Sequence, residues 1–400
     1  MLALMRDLAS PFGRGARVHW GLDERLTFLN HGSFGAVPLE LLERSAELRR
    51  EIERNPIDGV WRGAMPQIRR VAEQCAAFVG APPQSTGFVT NATAGINAVL
   101  GSIPLSPGDE LLHLDHGYNA IWQTLKVIAR RRGVVIRQVA LPLPVSGAEQ
   151  VVAITMAAVT PATKVLVLDQ ITSPSALRLP VADIVAAAAA RGVEVVIDGA
   201  HSPGMLDQPA AEAPQAAAWT GNLHKWTCAL RGCALLTVRP DLAAQIHAPI
   251  ISHHLDEGLT AELDWQGTID PTPWLLAAEA IAFMDRFGGW DAVRRHNHEL
   301  ATHMHAMLCE RLGLTPLSPL DGSMLGSMAT LRLPDSLQPQ ADDRGPEQLQ
   351  AALLERFAIE IPVMEFAGVR YTRISCHVYN EAADYEHLAT ALEQLSQARA

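Results

Sequence analysis

From about residue 86 to 240 the chain alternates short β-branched or aliphatic runs with longer stretches of helical periodicity. The strand-like runs fall at 86–90, 110–114, 134–139, 164–169, 193–198, 217–220 and 234–238. Helical stretches such as 118–132 and 181–191 separate them, the second closed by Arg191-Gly192, a good C-terminal stop. This alternation predicts βαβ units and a largely parallel sheet. Upstream, 38–54 and 62–79 read as amphipathic helices; downstream, 273–287 and 290–312 read as a long helical connector. The pattern then changes to strand 326–333, a polar loop at 337–346, helix 346–357, strands 359–363 and 371–376, and helix 382–397. The expected organisation is an N-terminal segment (1–25), a large α/β domain (26–294) and a smaller α+β domain (295–400).

Composition narrows the function classes. With 400 residues, 48% hydrophobic and 19% charged, the chain is able to bury a large apolar core. A net charge of −11 without any long basic run would repel a phosphate backbone, so nucleic acid is not an expected partner. No apolar stretch reaches the roughly 20 residues that a bilayer span requires, and none of the N-terminal sequence forms a continuous apolar signal region. The five cysteines lack a CxxC pair or zinc-finger spacing, which fits reduced thiols in the cytoplasm and no metal set.

Only three of the 32 basic residues are lysines: Lys126, Lys164 and Lys225. Lys126 falls mid-helix and Lys164 just before a strand, ordinary places for a solvated charge. Lys225 follows the run 217–220 in Gly221-Asn222-Leu223-His224-Lys225-Trp226, at the strand end where open α/β sheets collect ligands. A partly desolvated lysine amine can attack an aldehyde, whereas arginine forms no imine. The bland alternative is a surface lysine on a turn.

Other strand ends carry chemistry as well. Run 193–198 ends in Asp198-Gly199-Ala200-His201, and a carboxylate on a cleft floor needs a cation or donor to stay ionised, unless Asp198 merely caps its loop. After 86–90 come Asn91-Ala92-Thr93-Ala94-Gly95, small residues opening a helix whose free N–H groups suit a phosphate. An ordinary N-cap by Asn91 or Thr93 reads equally well. In Tyr371-Thr372-Arg373-Ile374-Ser375-Cys376, strand alternation puts Arg373 and Ser375 on one face and Cys376 on the other. An arginine fork there matches a carboxylate, with a surface salt bridge as the alternative.

Together, Asn91-Ala92-Thr93, Asp198-Gly199-Ala200-His201, Asn222-Leu223-His224-Lys225 and Arg373-Ile374-Ser375 resemble the class V aminotransferase family of fold-type I pyridoxal 5′-phosphate (PLP) enzymes. Asn30-His31-Gly32-Ser33-Phe34-Gly35 and Gly267-Thr268 look most like its isopenicillin N epimerase-like branch. The resemblance implies a mainly parallel seven-stranded sheet in the large domain and a smaller α+β C-terminal domain. It implies that Lys225 holds PLP covalently and moves the α-proton, that Asp198 pairs with the pyridine nitrogen, and that His201 lies by the ring's 3-oxygen. Ala92, Thr93, Asn222 and His224 would hold the phosphate, and Thr268 would reach the phosphate of a neighbouring subunit, making a homodimer with shared sites. Arg373, with Asn30 nearby, would clamp the carboxylate of an amino acid substrate. Either His116 or Tyr118 would cover the ring and act opposite Lys225.

Cysteine desulfurases of this family place a nucleophilic cysteine shortly before the carboxylate-binding arginine, and residues 360–372 contain none. Epimerisation or racemisation, C–S lysis and transamination remain, with the first ahead on motif similarity and a non-catalytic PLP-fold binding protein as a different class.

Overall fold

The computed structural model describes residues 11–340 and 345–398; residues 1–10 of the N-terminal segment and 341–344 of the expected polar loop lie outside them. The central sheet is built from β1 (Thr86–Val89), β2 (Glu110–Leu114), β3 (Val135–Val139), β4 (Thr163–Asp169), β5 (Glu194–Asp198), β6 (Ala218–Asn222) and β7 (Ala234–Val238). Their order is β1-β7-β6-β5-β4-β2-β3, parallel throughout except for β7, which runs antiparallel to both neighbours. This is the largely parallel sheet that the alternation of runs predicts, with the seven strands that the family resemblance implies.

Both faces of the sheet are covered. In β4, Leu166 and Leu168 enter one core with Leu112, Val195 and Ile197, while Val165 and Val167 enter another with Leu111, Val196 and Leu236. Strands buried on both sides read as continuous apolar runs, which is why these elements are so visible in sequence. Each such aliphatic side chain contributes about 1.5–3 kcal/mol on burial.

Two expected elements come out differently. The stretch 273–287 is broken into Thr272–Leu275, Ala277–Ala282 and a tighter 3-10 turn at Phe283–Phe287. The Ile281 carbonyl there accepts the Trp290 indole N–H at 3.0 Å, and the positive φ of Gly288 and Gly289 stops the run. The expected strand 359–363 is two pieces hinged at Pro362. Ile359–Glu360 pairs in parallel with Thr27–Phe28, whereas Val363–Phe366 turns back against Val369–Ser375. Helix Ala148–Ala157, between β3 and β4, is a further element that the sequence pattern did not single out.

The C-terminal part holds a three-stranded antiparallel sheet of β8 (Met328–Arg332), β9 (Val363–Phe366) and β10 (Val369–Ser375), with β10 in the middle. Helices Trp290–Leu312 and Ala382–Gln397 supply Ala301, Leu308, Leu388 and Leu392 to its core, which also takes in Leu29 from the N-terminal side. The division expected at 294/295 falls inside the first of these helices. No helix among the described residues is long and apolar enough to cross a membrane.

Candidate active site

The carboxyl ends of β4 and β5 place Asp169 and Asp198 opposite each other in register. β6 ends at Asn222 and runs straight into the loop bearing Lys225, and the helix Ala92–Ser102 begins just after β1. These ends surround a cavity of about 370 Å³ whose walls include Lys225, Asp198, Asp169, His201, His224, Asn222, Ala92, Thr93 and Tyr118. Of the residues named from sequence, the structure thus brings eight to one pocket: Ala92, Thr93, Tyr118, Asp198, His201, Asn222, His224 and Lys225.

Two glycines make the construction possible. Gly35 has φ +71, and a Cβ there would collide with the His224 carbonyl oxygen and lie 2.9 Å from that of Lys225, so only glycine lets the N-terminal turn close on the lysine loop. A Cβ at Gly95 would run into the Thr220 hydroxyl, so this glycine seats the helix Ala92–Ser102 directly on β6.

The Lys225 amine lies 3.1 Å from His201 Nε2. Since His201 Nδ1 accepts the Trp226 indole N–H at 3.4 Å, the ring proton belongs on Nε2, where it points at the amine's lone pair. That arrangement requires an uncharged amine. Burial, reinforced by the Arg373 guanidinium, lowers the Lys225 pKa to about 7 against the opposing pull of Asp198 and Asp169. Burial also drives His201 well below the usual histidine range, with Lys225 and Arg373 adding to the effect. Asp198 accepts the Ala200 N–H at 2.9 Å, but burial still raises its carboxyl. Asp169 is raised too, by burial and then by the charge of Asp198.

At the helix start, Asn91 Oδ1 accepts the Ala94 N–H at 2.9 Å as an N-cap, and Asn222 Oδ1 accepts the Ala92 N–H at 2.8 Å. His224 donates from Nδ1 to the Cys233 carbonyl at 2.9 Å, and burial brings its pKa down to about 4.

Arg373 lies on β10, buried, and extends its fork toward the pocket wall. Its Nη1 donates to the Ser173 carbonyl at 2.6 Å and to Ser173 Oγ at 3.1 Å; its Nη2 donates to Ser33 Oγ at 3.4 Å. Ser33 in turn donates to Asn30 Oδ1 at 2.5 Å, and Asn30 Nδ2 donates to Glu360 at 3.1 Å. Among the described residues, Arg373 Nε has no partner.

The two ring-covering candidates part company. Tyr118 is 46% exposed and lines the cavity. His116 is fully buried outside that wall, with Nδ1 accepting from Ser175 Oγ at 2.8 Å and Nε2 donating to the Leu141 carbonyl at 2.9 Å. Both its nitrogens are committed, and burial lowers its pKa. Thr268 is exposed, after Gly267 at φ +93, and is not part of this wall. Asp169, Ser33 and Ser173 are site residues that sequence reading missed. Asp169 carried the same signal as Asp198, an apolar strand running into a carboxylate.

The class V aminotransferase family model matches residues 55–388. The chain is 32% identical to isopenicillin N epimerase of Amycolatopsis lactamdurans over 95% of this chain and 98% of that one. It is 26% identical to L-cysteine desulfhydrase of Arabidopsis thaliana, covering 92% of this chain and 87% of the relative. In fold it is similar to a mutant of C-DES with glycine covalently linked to its PLP cofactor, at TM-score 0.79 and 19% identity over 95% and 98% of the two chains. The sheet order, the C-terminal unit and the family match agree on fold type I, and the chain belongs to the class V aminotransferase family.

Proposed function

We propose that this chain is a PLP-dependent enzyme acting at the α-carbon of an amino acid, with epimerase or racemase chemistry as its leading activity. The observation that carries the reading is the Lys225 amine, held near neutrality beside His201, with Asp198 on the pocket floor and the Arg373 fork at its wall. The residues suit the cofactor: a carboxyl raised by burial gains a partner in a protonated pyridine nitrogen, and an uncharged amine matches an aldehyde. Lys225 would carry the covalent link. Thr93, the Ala92 helix start, His224 and the amide nitrogen of Asn222 would hold the phosphate, and His201 the 3-oxygen. Bound there, PLP supplies an electron sink for a bond breaking at Cα.

The chain's own groups then divide the work. Arg373 takes the substrate carboxylate by two-point hydrogen bonding, with Asn30 acting through Ser33 to aim the fork. Lys225 Nζ accepts and returns the Cα proton on one face. Tyr118, on the cavity wall, is the group for the opposite face, and inversion of configuration needs both. Thr268, exposed behind a positive-φ glycine, would reach a second copy's site in a homodimer. Five free, buried cysteines fit a cytoplasmic enzyme.

C–S lysis is the second reading, favoured by the similarity to L-cysteine desulfhydrase. It uses the same Lys225 and requires only a leaving group at Cβ. A persulfide carried on Cys376 is not part of it: that residue is buried, receives the Tyr385 hydroxyl at 2.9 Å, and burial pushes its thiol up to about 12. Incubating the enzyme with L-amino acids in D₂O decides between the two. Deuterium at Cα with inverted chirality supports epimerisation, whereas release of pyruvate and ammonia makes the enzyme a lyase.

A further inference from the structure

A second cavity, of about 470 Å³, adjoins the first, and Tyr118 and Ser173 line both. Ser173 is also the residue on which the Arg373 fork rests. An amino acid with its carboxylate at Arg373 and its amino group toward Lys225 therefore turns its remaining substituent to the partition between the cavities. Beyond Tyr118 the walls are apolar at Trp122, Met364 and Phe366. The charged groups on the wall are all acidic: Asp115 and Glu365, with no lysine or arginine among the lining residues. Glu365 is matched by buried Arg370 at 2.5 Å. Among the described residues, Asp115 receives only the Leu141 N–H, at 2.9 Å, and lies 3.8 Å from the uncharged ring of His116. His113, also on this wall, is held uncharged by burial. Lys126 Nζ lies over the Trp122 ring at 5.9 Å but is not among the lining residues, so a second carboxylate entering the space would face Asp115 with no lysine or arginine on the wall itself.

We infer that the second cavity receives the side chain of an extended α-amino acid substrate and selects against side chains ending in a carboxylate. The inference rests on the assignment of the first cavity under Proposed function. It makes Met364, Trp122 and Asp115 specificity residues, distinct from the groups that act at Cα.

The test uses PLP-loaded enzyme, its visible absorbance band verified, mixed rapidly with L-alanine, L-norleucine or L-2-aminoadipate while the change in that band reports binding. L-Norleucine is expected to bind at least tenfold more tightly than L-alanine, and L-2-aminoadipate no more tightly than L-alanine. Met364→Lys places a cation on a half-buried edge strand and is expected to tighten L-2-aminoadipate at least tenfold while leaving L-alanine within twofold. Asp115→Asn, which keeps the oxygen bonded to Leu141, should move L-2-aminoadipate in the same direction. Equal affinity for L-alanine and L-norleucine, tighter binding of L-2-aminoadipate than of L-norleucine, or equal shifts for all three ligands in both variants would overturn the inference. Wild-type enzyme that develops no visible band with PLP, or whose band does not respond to any of the three amino acids, would overturn the first-cavity reading itself.

Discussion

Two clusters of ionisable side chains meet at the backbone of Lys225. On its side-chain face, Lys225, Asp198, Asp169, His201 and His224 line an open cavity. On its carbonyl side, His31, Cys228, His377 and Tyr379 fill a solid interior. There Tyr379 donates to His31 Nδ1 at 2.6 Å, His31 Nε2 donates to the Lys225 carbonyl at 3.0 Å, and Cys228 Sγ lies 3.6 Å from His377 Nε2. Burial forces both clusters toward their uncharged forms. What separates them is space and unmet demand. The His-Cys-His group has ligand atoms within 4.8 Å of one another, yet its two imidazoles stack at 4.0 Å and 21°, so their lone pairs run side by side instead of converging on one ion. A dense group of histidines and a thiol is therefore packing here, while a sparser group around an open cavity is the one with room for the proposed chemistry.

The contrast is sharpest at Lys225 itself. Lys225→Ala should abolish the visible band of bound cofactor and lower turnover by at least about a thousandfold, measured by absorbance and steady-state rate. Asp198→Asn keeps the shape but removes the charge proposed to face the ring nitrogen. It should cost roughly a hundredfold to a thousandfold in kcat with the band shifted but present. Removing the fork with Arg373→Ala should act on substrate capture, raising KM by about ten- to a hundredfold with little change in cofactor content. Acid should weaken the pocket in a graded way: because the Lys225 amine has a pKa near about 7, the rate of cofactor capture by apoenzyme should fall about tenfold per pH unit below that value and level off above it. The smallest effect belongs to the packed cluster. Cys228→Ala should lower unfolding free energy by about 1–2 kcal/mol in denaturant titrations and change kcat by less than about threefold. A hundredfold loss of activity there, with the band unchanged, would break the distinction between the two clusters.

How much of this was legible in sequence follows from how each residue is placed. The seven strands lie within two residues of their expected limits because doubly covered strands are uninterrupted apolar runs. Lys225, Asp198 and Arg373 stand out because their residue types are rare or costly at such positions. Asp169 ends an apolar strand just as Asp198 does, but that the two face each other is visible only in the β4–β5 register. Ser33 lies in the single helical turn His31–Phe34 and Ser173 in a turn, both too short to show periodicity, and nothing about a lone serine announces that it will receive a guanidinium from 340 or 200 positions away. His116 and Tyr118 were inseparable by spacing; the bonds to Ser175 and Leu141 that retire the histidine are tertiary. The 359–363 run looked continuous, although Pro362 has no N–H with which to continue a ladder.

The parallel pairing of Thr27–Phe28 with Ile359–Glu360 ties the start of the chain to its last third. Ser33 and Asn30 follow that strand directly, and Arg373 shares the same unit, so the proposed carboxylate grip is assembled from both ends of the chain. Two bonds anchor it to the other half: Arg373 Nη1 rests on the Ser173 carbonyl at 2.6 Å, and His31 Nε2 donates to the Lys225 carbonyl at 3.0 Å. Any displacement of the C-terminal body against the sheet would have to break those bonds first, at the seam where Gly35 lets the backbones touch.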